Sequence, residues 1–378
     1  MRSKRVAFEA TALLGSRSGV GEFAYGLLTK LADEDFEVDA FAISWRRRHL
    51  LKDQLPQGVG FIDRTMPARP LHILWDNFNA PAIEHILGGG YDLVHGSNFF
   101  VPPSKRIQRV MTVHDLTPLH YPEMCLAPVL KYPHYIAQSI RKGVFIHTPT
   151  EFVKHEIMEI FNAPDEQVFA IAHGVPTDAY SPVDTVSVEF VNKLREVMAG
   201  RHVLLAVGTI EPRKGYLEFL DALKILQQKR KDFVFVIAGA KGWGWEQFQR
   251  RLSHLMDTSA VVVLGWVSDA ERKWLYDNAT TLVFPSIYEG FGLPPLEAMT
   301  RGLPVICSDA KATLEVVGDC AVVVKGHDPV LWSDTVSRVI DDSELRSDLS
   351  RRGRDRAKMF TWKRAAHEMR AAYRRILE

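Results

Sequence analysis

Short, almost continuous apolar runs alternate along this chain with longer stretches in which apolar residues return every third or fourth position. Runs of the first kind suit strands buried on both faces, and the second period suits helices packed over them. In the first half the pattern predicts strands at residues 5–10, 37–43, 92–95, 109–113, 144–147 and 168–171, with a helix over 20–33. The rhythm breaks from Ala172 into a polar, proline-bearing stretch ending at Ser181-Pro182, which reads as an interdomain linker. A second series follows, with strands at 202–207, 233–238, 261–264, 282–284, 305–307 and 321–324. Residues 361–378 read as a closing amphipathic, arginine-rich helix. Alternating elements of this kind predict an α/β protein built from two Rossmann-like, doubly wound parallel sheets. The expected divisions are 1–178, 179–360 and the terminal helix 361–378.

Length and composition narrow the class. A chain of 378 residues that is 46% hydrophobic and 25% charged is expected to form two globular domains with sizeable cores. Its formal net charge of +1 supplies no broad field for nucleic acid. Cys125, Cys307 and Cys320 lie far apart, without the spacing of a zinc site or a disulfide framework. The basic residues 1–5 are followed by Val6-Ala7-Phe8, but Glu9 ends that run too early for a signal peptide. No apolar run approaches the ~18 residues of a membrane helix. The expectation is a cytoplasmic protein, at most peripheral on the inner face of the membrane.

Candidate chemistry concentrates just after strands, where doubly wound sheets bind ligands. Residues 280–285 read as a buried strand, and Ser286-Ile287-Tyr288-Glu289-Gly290-Phe291-Gly292-Leu293 turns into a helix opened by Pro294-Pro295. Backbone N–H groups in a glycine-bearing turn at a helix N-terminus favour phosphate. Glu289 and Glu297, with seven residues between them, add acceptors for hydroxyls. After the strand ending at Val207, Gly208-Thr209-Ile210-Glu211-Pro212-Arg213-Lys214-Gly215 brings two cations that could neutralise a departing diphosphate. Gly19 and Gly21 occupy the first strand–helix loop, a weaker signal because such loops commonly use glycine. They do not fit the dinucleotide fingerprint that a nicotinamide dehydrogenase would need. His114 follows a strand directly in Val113-His114-Asp115-Leu116, whereas His95 suits packing or acceptor contact. Asp33-Glu34-Asp35 has the look of a metal-binding aspartate pair, but falls at the sheet edge opposite the ligand end, as does Asp341-Asp342. Neither is expected to bind metal. Trp243, Trp245 and Trp266 could line a base pocket or simply pack. Trp45-Arg46-Arg47-Arg48-His49-Leu50-Leu51-Lys52 could rest on anionic lipid or form a solvated loop.

The run from Glu289 to Met299 resembles the E-x7-E signature, EGFGLPxLEAM, of retaining GT-B glycosyltransferases of family 4. The 208–215 string resembles that family's GxxExRKG element, with Thr209 where many relatives carry arginine. Val113-His114-Asp115 resembles its TxHD element. The resemblance implies a GT-B fold whose C-terminal domain holds a nucleotide-sugar donor and whose N-terminal domain receives a saccharide or lipid-linked acceptor. It implies diphosphate binding by Arg213 and Lys214, donor contacts from Thr209, Gly290, Phe291, Gly292 and Leu293, and ribose binding by Glu297. Glu289 and His114 then face the donor sugar, and Gly19 and Gly21 approach its phosphate when the domains close. No metal or other cofactor is implied. Residues 100–123 resemble mannosyltransferases of bacterial polysaccharide assembly, which implies GDP-mannose as donor. A glycoside phosphorylase of the same fold and a non-catalytic sugar-nucleotide scaffold are the alternatives.

Overall fold

A computed structural model describes residues 3–15, 19–176, 186–198 and 200–378. Residues 177–182 of the expected linker lie outside the described residues, as do Ser16, Arg17 and Ser18 of the glycine loop. The chain divides into two compact units, Met1–Pro176 with Phe360–Glu378, and Thr177–Met359.

The first unit holds a seven-stranded sheet: β1 (Lys4–Glu9), β2 (Phe36–Phe41), β3 (Gly60–Phe61), β4 (Leu93–Gly96), β5 (Gln108–Thr112), β6 (Phe145–Thr148) and β7 (Val168–Ala170). All pairs are parallel, in the order β3-β2-β1-β4-β5-β6-β7. Val6, Ala7 and Phe8 of β1 are fully buried, so successive side chains find apolar cover on opposite faces, as central parallel strands require. The strand order reverses between β1 and β4, and the loops leaving those two strands diverge there.

The second unit repeats the plan with β8 (His202–Val207), β9 (Phe233–Ala238), β10 (Val261–Gly265), β11 (Thr281–Phe284), β12 (Val305–Ser308) and β13 (Val322–Val324). Its order is β10-β9-β8-β11-β12-β13, again all parallel, with the reversal between β8 and β11. The two doubly wound sheets expected from the apolar runs are therefore present.

The terminal helix, Trp362–Leu377, belongs to the first unit. It buries Trp362, Ala366, Met369, Tyr373 and Ile376 in the same core as Phe23, Leu27 and Leu31 of the helix Gly19–Leu31. Its entry is clamped where Val175 N–H donates to the Phe360 carbonyl at 3.1 Å. A Cβ on Gly174 would lie 2.2 Å from the Trp362 backbone nitrogen. Gly174→Ala is accordingly expected to destabilise this unit by about 1–3 kcal/mol through overpacking of backbone that cannot yield; chemical denaturation checks it.

The acidic triplet is explained by the same helix. Arg370 pairs with Asp33 at 2.7 Å and Arg374 with Asp35 at 2.6 Å. Asp341 is held by Arg230 at 2.8 Å, and Asp342 caps the next helix. Among the described residues no group of three or more metal-type side chains converges, and no helix is long and apolar enough to cross a membrane.

Candidate active site

In the second unit the reversal point carries the motifs. The loop leaving β8 contains Thr209, Glu211, Arg213 and Lys214, and the loop leaving β11 contains Glu289 to Gly292. The two are tied by Ile287 N–H donating to the Arg213 carbonyl at 2.8 Å. Lys214 Nζ donates to Glu289 Oε1 at 2.7 Å, and Arg213 donates to Glu289 Oε2 at 2.8 Å. Arg213 also bridges to Glu211 at 2.8 Å. Lys214, Glu289 and Glu211 are buried. Burial alone would raise the Glu289 carboxyl, but the charges of Arg213 and Lys214 and the Lys214 hydrogen bond overcome it and hold its pKa at about 2. Arg213 donates as well to the Tyr288 carbonyl at 3.5 Å. Two positive and two negative side chains thus sit fixed in a nearly dry site.

Gly292 caps the helix Leu293–Arg301 at φ +125°, a value that favours glycine. Pro294 and Pro295 carry no N–H and Leu296 N–H donates to the Gly292 carbonyl at 3.2 Å, so in the first turn it is Leu293 whose N–H is left without a helical partner. Gly290 and Phe291 are buried beside it. The Thr313 hydroxyl, buried against Gly292, has no hydrogen-bond partner among the described residues. One turn into the helix, Glu297 Oε2 accepts from Tyr276 Oη at 2.8 Å and lies 3.4 Å from Arg272. Both contacts fall on that oxygen. No motif in the sequence marks Tyr276 or Arg272, although their i, i+4 spacing on the helix Asp269–Asn278 puts them on one face. Thr209 lies in the β8 loop, partly buried. Trp245 packs on Phe248, with ring centroids 5.7 Å apart, while Trp243 and Trp266 are exposed.

In the first unit His114 follows β5 and donates from Nε2 to the Ser97 carbonyl at 2.9 Å. Its ring meets Phe23 edge-on at 5.1 Å. Ser97 in turn donates to Glu9 at 3.2 Å. Gly19 opens the first helix and Gly21 is buried within it. His95, Thr112, His147 and Tyr373 form a buried chain with a fixed direction. The Ile171 carbonyl can only accept, so His147 donates to it from Nε2 at 3.1 Å. Thr112 then donates to His147 Nδ1 at 3.0 Å, His95 Nε2 to Thr112 at 2.7 Å, and the Tyr373 phenol to His95 Nδ1 at 2.5 Å. Every group is satisfied with both histidines neutral, which places His95 in packing rather than in ligand contact.

Burial pushes the pKa of His95, His114 and His173 below the ordinary 6.5 and that of His147 down to about 3. Such groups take up protons on unfolding once pH falls below 6.5, so their contribution is complete above that pH and lost on the way towards 3. Each is expected to remove up to about 1.4 kcal/mol of stability per pH unit in that window. Glu9, whose burial raises its carboxyl, offsets this only as a single group. Denaturation midpoints at about pH 7.5 and pH 5.0, on either side of the histidine transition, measure the net fall.

Two doubly wound parallel sheets, with loops at their reversal points and two cations paired to Glu289 in the second unit, have the architecture of GT-B glycosyltransferases. Residues 17–179 match the family described as Glycosyltransferase Family 4, and residues 193–356 the one described as Glycosyl transferases group 1. The chain is 31% identical to the Escherichia coli O-antigen chain mannosyltransferase B, over 75% of this chain and 74% of that protein. It is 26% identical to the Salmonella typhimurium O-antigen chain mannosyltransferase RfbU, over 85% and 88% respectively. A glycosyltransferase structure from Rickettsia africae superposes over 100% of both chains with a TM-score of 0.77 at 17% identity. WaaG, of lipopolysaccharide biosynthesis, superposes with a TM-score of 0.71 at 19% identity over 97% of this chain and 98% of that one. The protein belongs to glycosyltransferase family 4 and is a glycosyltransferase.

Proposed function

We propose that the protein transfers mannose from GDP-mannose to a hydroxyl of a saccharide or lipid-linked acceptor in polysaccharide assembly, with retention of configuration and without metal. The observation that carries this reading is the Arg213–Lys214–Glu289 network beside a glycine-capped helix start. It supplies fixed positive charge where a diphosphate gains charge as its bond to the sugar breaks. The names of the two O-antigen mannosyltransferase relatives support mannose. Glu297, braced by Tyr276 and Arg272, accepts the ribose hydroxyls, and the amides of Phe291, Gly292 and Leu293 hold sugar or phosphate. Thr209, Gly290, Gly19 and Gly21 complete the donor contacts. Glu289 fixes the cations, and His114 faces the transferred sugar. The acceptor oxygen forms its bond to C1 on the face from which the diphosphate departs, and its proton passes to the leaving phosphate. Thermal-shift and nucleotide-release assays against GDP-, UDP-, dTDP- and ADP-sugars test the reading: GDP-mannose is expected to give the largest shift and turnover. No response to any of them sinks it, and release of free sugar phosphate instead indicates a phosphorylase.

Contact with anionic membrane is proposed for Trp45 and Arg46, which are both exposed. Arg47 is spent on the Leu14 carbonyl and Arg48 faces Asp63 at 2.7 Å, so neither is a clean probe. Binding to anionic vesicles is expected to fall with salt and with Trp45→Ala/Arg46→Ala. Salt-independent binding, or none, returns the segment to a solvated loop.

A further inference from the structure

The loop leaving β4 contains a residue that the fold strains. Phe99 sits at φ +55°, a conformation that L side chains other than Asn and Asp seldom adopt. Such outliers persist where surrounding structure enforces them, and they cluster at ligand sites. Here the strained backbone lays the Phe99 ring flat against Tyr132, with centroids 4.4 Å apart and planes 11° from parallel. Phe99 also meets His114 edge-on at 5.8 Å. Phe99 itself is buried, whereas Tyr132 is part-exposed. The stack is therefore a rigid backing for the Tyr132 ring.

Polar capacity is left over around that ring. The Tyr132 phenol has no hydrogen-bond partner among the described residues, and Asp115 is near enough that its charge helps burial to raise the phenol pKa. Asp115 accepts the Thr117 N–H on Oδ1 at 2.9 Å, and its Oδ2 has no partner among the described residues. All three residues belong to the ligand end of the first unit's sheet, following β4 and β5 or opening the helix Tyr132–Arg141.

We infer that Phe99, Tyr132 and Asp115 form the subsite for the terminal pyranose of the acceptor. This rests on the proposed transfer to a saccharide and assigns its recognition. A pyranose ring has one apolar C–H face, which packs on the backed Tyr132 ring, and equatorial hydroxyls at its rim, which donate to the Asp115 carboxylate. Few polar groups at the edge of an apolar platform fix orientation. The negative charge of Asp115 selects a neutral, hydroxyl-bearing sugar and disfavours one carrying phosphate or carboxylate at that edge.

Saturation-transfer NMR with methyl α-mannoside, α-glucoside, α-galactoside and N-acetyl-α-glucosaminide tests the subsite. At least one is expected to bind wild-type protein, with an affinity that falls about tenfold or more in Tyr132→Ala and in Asp115→Asn, the scale of losing one packed ring or one charged acceptor. In Asp115→Asn the side-chain amide oxygen still accepts the Thr117 N–H, so folding is retained. Tyr132→Phe, which keeps the ring, is expected to bind better than Tyr132→Ala. Glu297→Ala, altered only on the nucleotide side, is expected to keep the glycoside signal, so loss of donor binding and loss of this subsite are read separately. Binding unchanged in both Tyr132→Ala and Asp115→Asn, or absence of binding by every glycoside to wild-type protein, overturns the assignment.

Discussion

Glu297→Ala is expected to weaken nucleotide-sugar affinity by about tenfold or more while the protein remains folded. Each charge-assisted hydrogen bond to a ribose hydroxyl is worth roughly 1.5–3 kcal/mol, and the carboxylate supplies two. The structure adds a second contribution. Tyr276 and Arg272 both reach Glu297 Oε2, so the carboxylate is held still before ligand arrives and little ordering remains to be done on binding. Tyr276→Phe removes that brace without touching the ligand and is expected to cost less than Glu297→Ala. Isothermal calorimetry of the three proteins separates the roles. Equal affinity for wild type and Glu297→Ala would remove the ribose assignment.

Lys214→Ala is expected to lower kcat by about a hundredfold or more, the scale on which loss of one preorganised group facing developing charge is felt. Donor affinity is expected to fall far less, because the Lys214 charge matters most when the diphosphate leaves. The substitution also strips Glu289 of one of its two cations. Removing a partner from a buried ion pair costs about 3–5 kcal/mol when the remaining charge is uncompensated. Arg213 still faces Glu289, so a smaller loss of stability is expected. Single-turnover kinetics alongside urea denaturation distinguishes the two effects. A kcat within about twofold of wild type would contradict a leaving-group role.

What is legible in the sequence follows from burial. A strand such as β9, Phe233–Ala238, is covered on both faces, and its six residues form an uninterrupted apolar run that cannot be mistaken for a solvated segment. The same reasoning fails for β3, which is two residues long at the sheet edge and leaves no run to see. The helix Ala68–Phe78 escapes it too: it buries only Leu71 and Trp75, and Ile73 and Phe78 are exposed, which blurs its apolar stripe. At the site, loop motifs are visible because glycine, proline and charge fall together after strands. Their partners are not. Tyr276, Arg272 and Thr313 reach the glutamate turn from other helices, and Arg374 answers Asp35 from 339 residues away. In sequence His95 suits packing and ligand contact alike, because only the fold brings Tyr373 and Thr112 to its two ring nitrogens.

Sugar transfer with retention, driven by protein cations rather than by a metal, is the course proposed for this enzyme. Double displacement of the retaining-glycosidase kind needs a carboxylate nucleophile, and no motif in the N-terminal half of the sequence marks one, so attack on the departing face is the expected course. Proton NMR of the product formed from an α-linked nucleotide sugar in the presence of EDTA tests this most directly. An α-linked product at an undiminished rate is predicted; a β-linked product, or activity abolished by EDTA and restored by Mg or Mn, would contradict it.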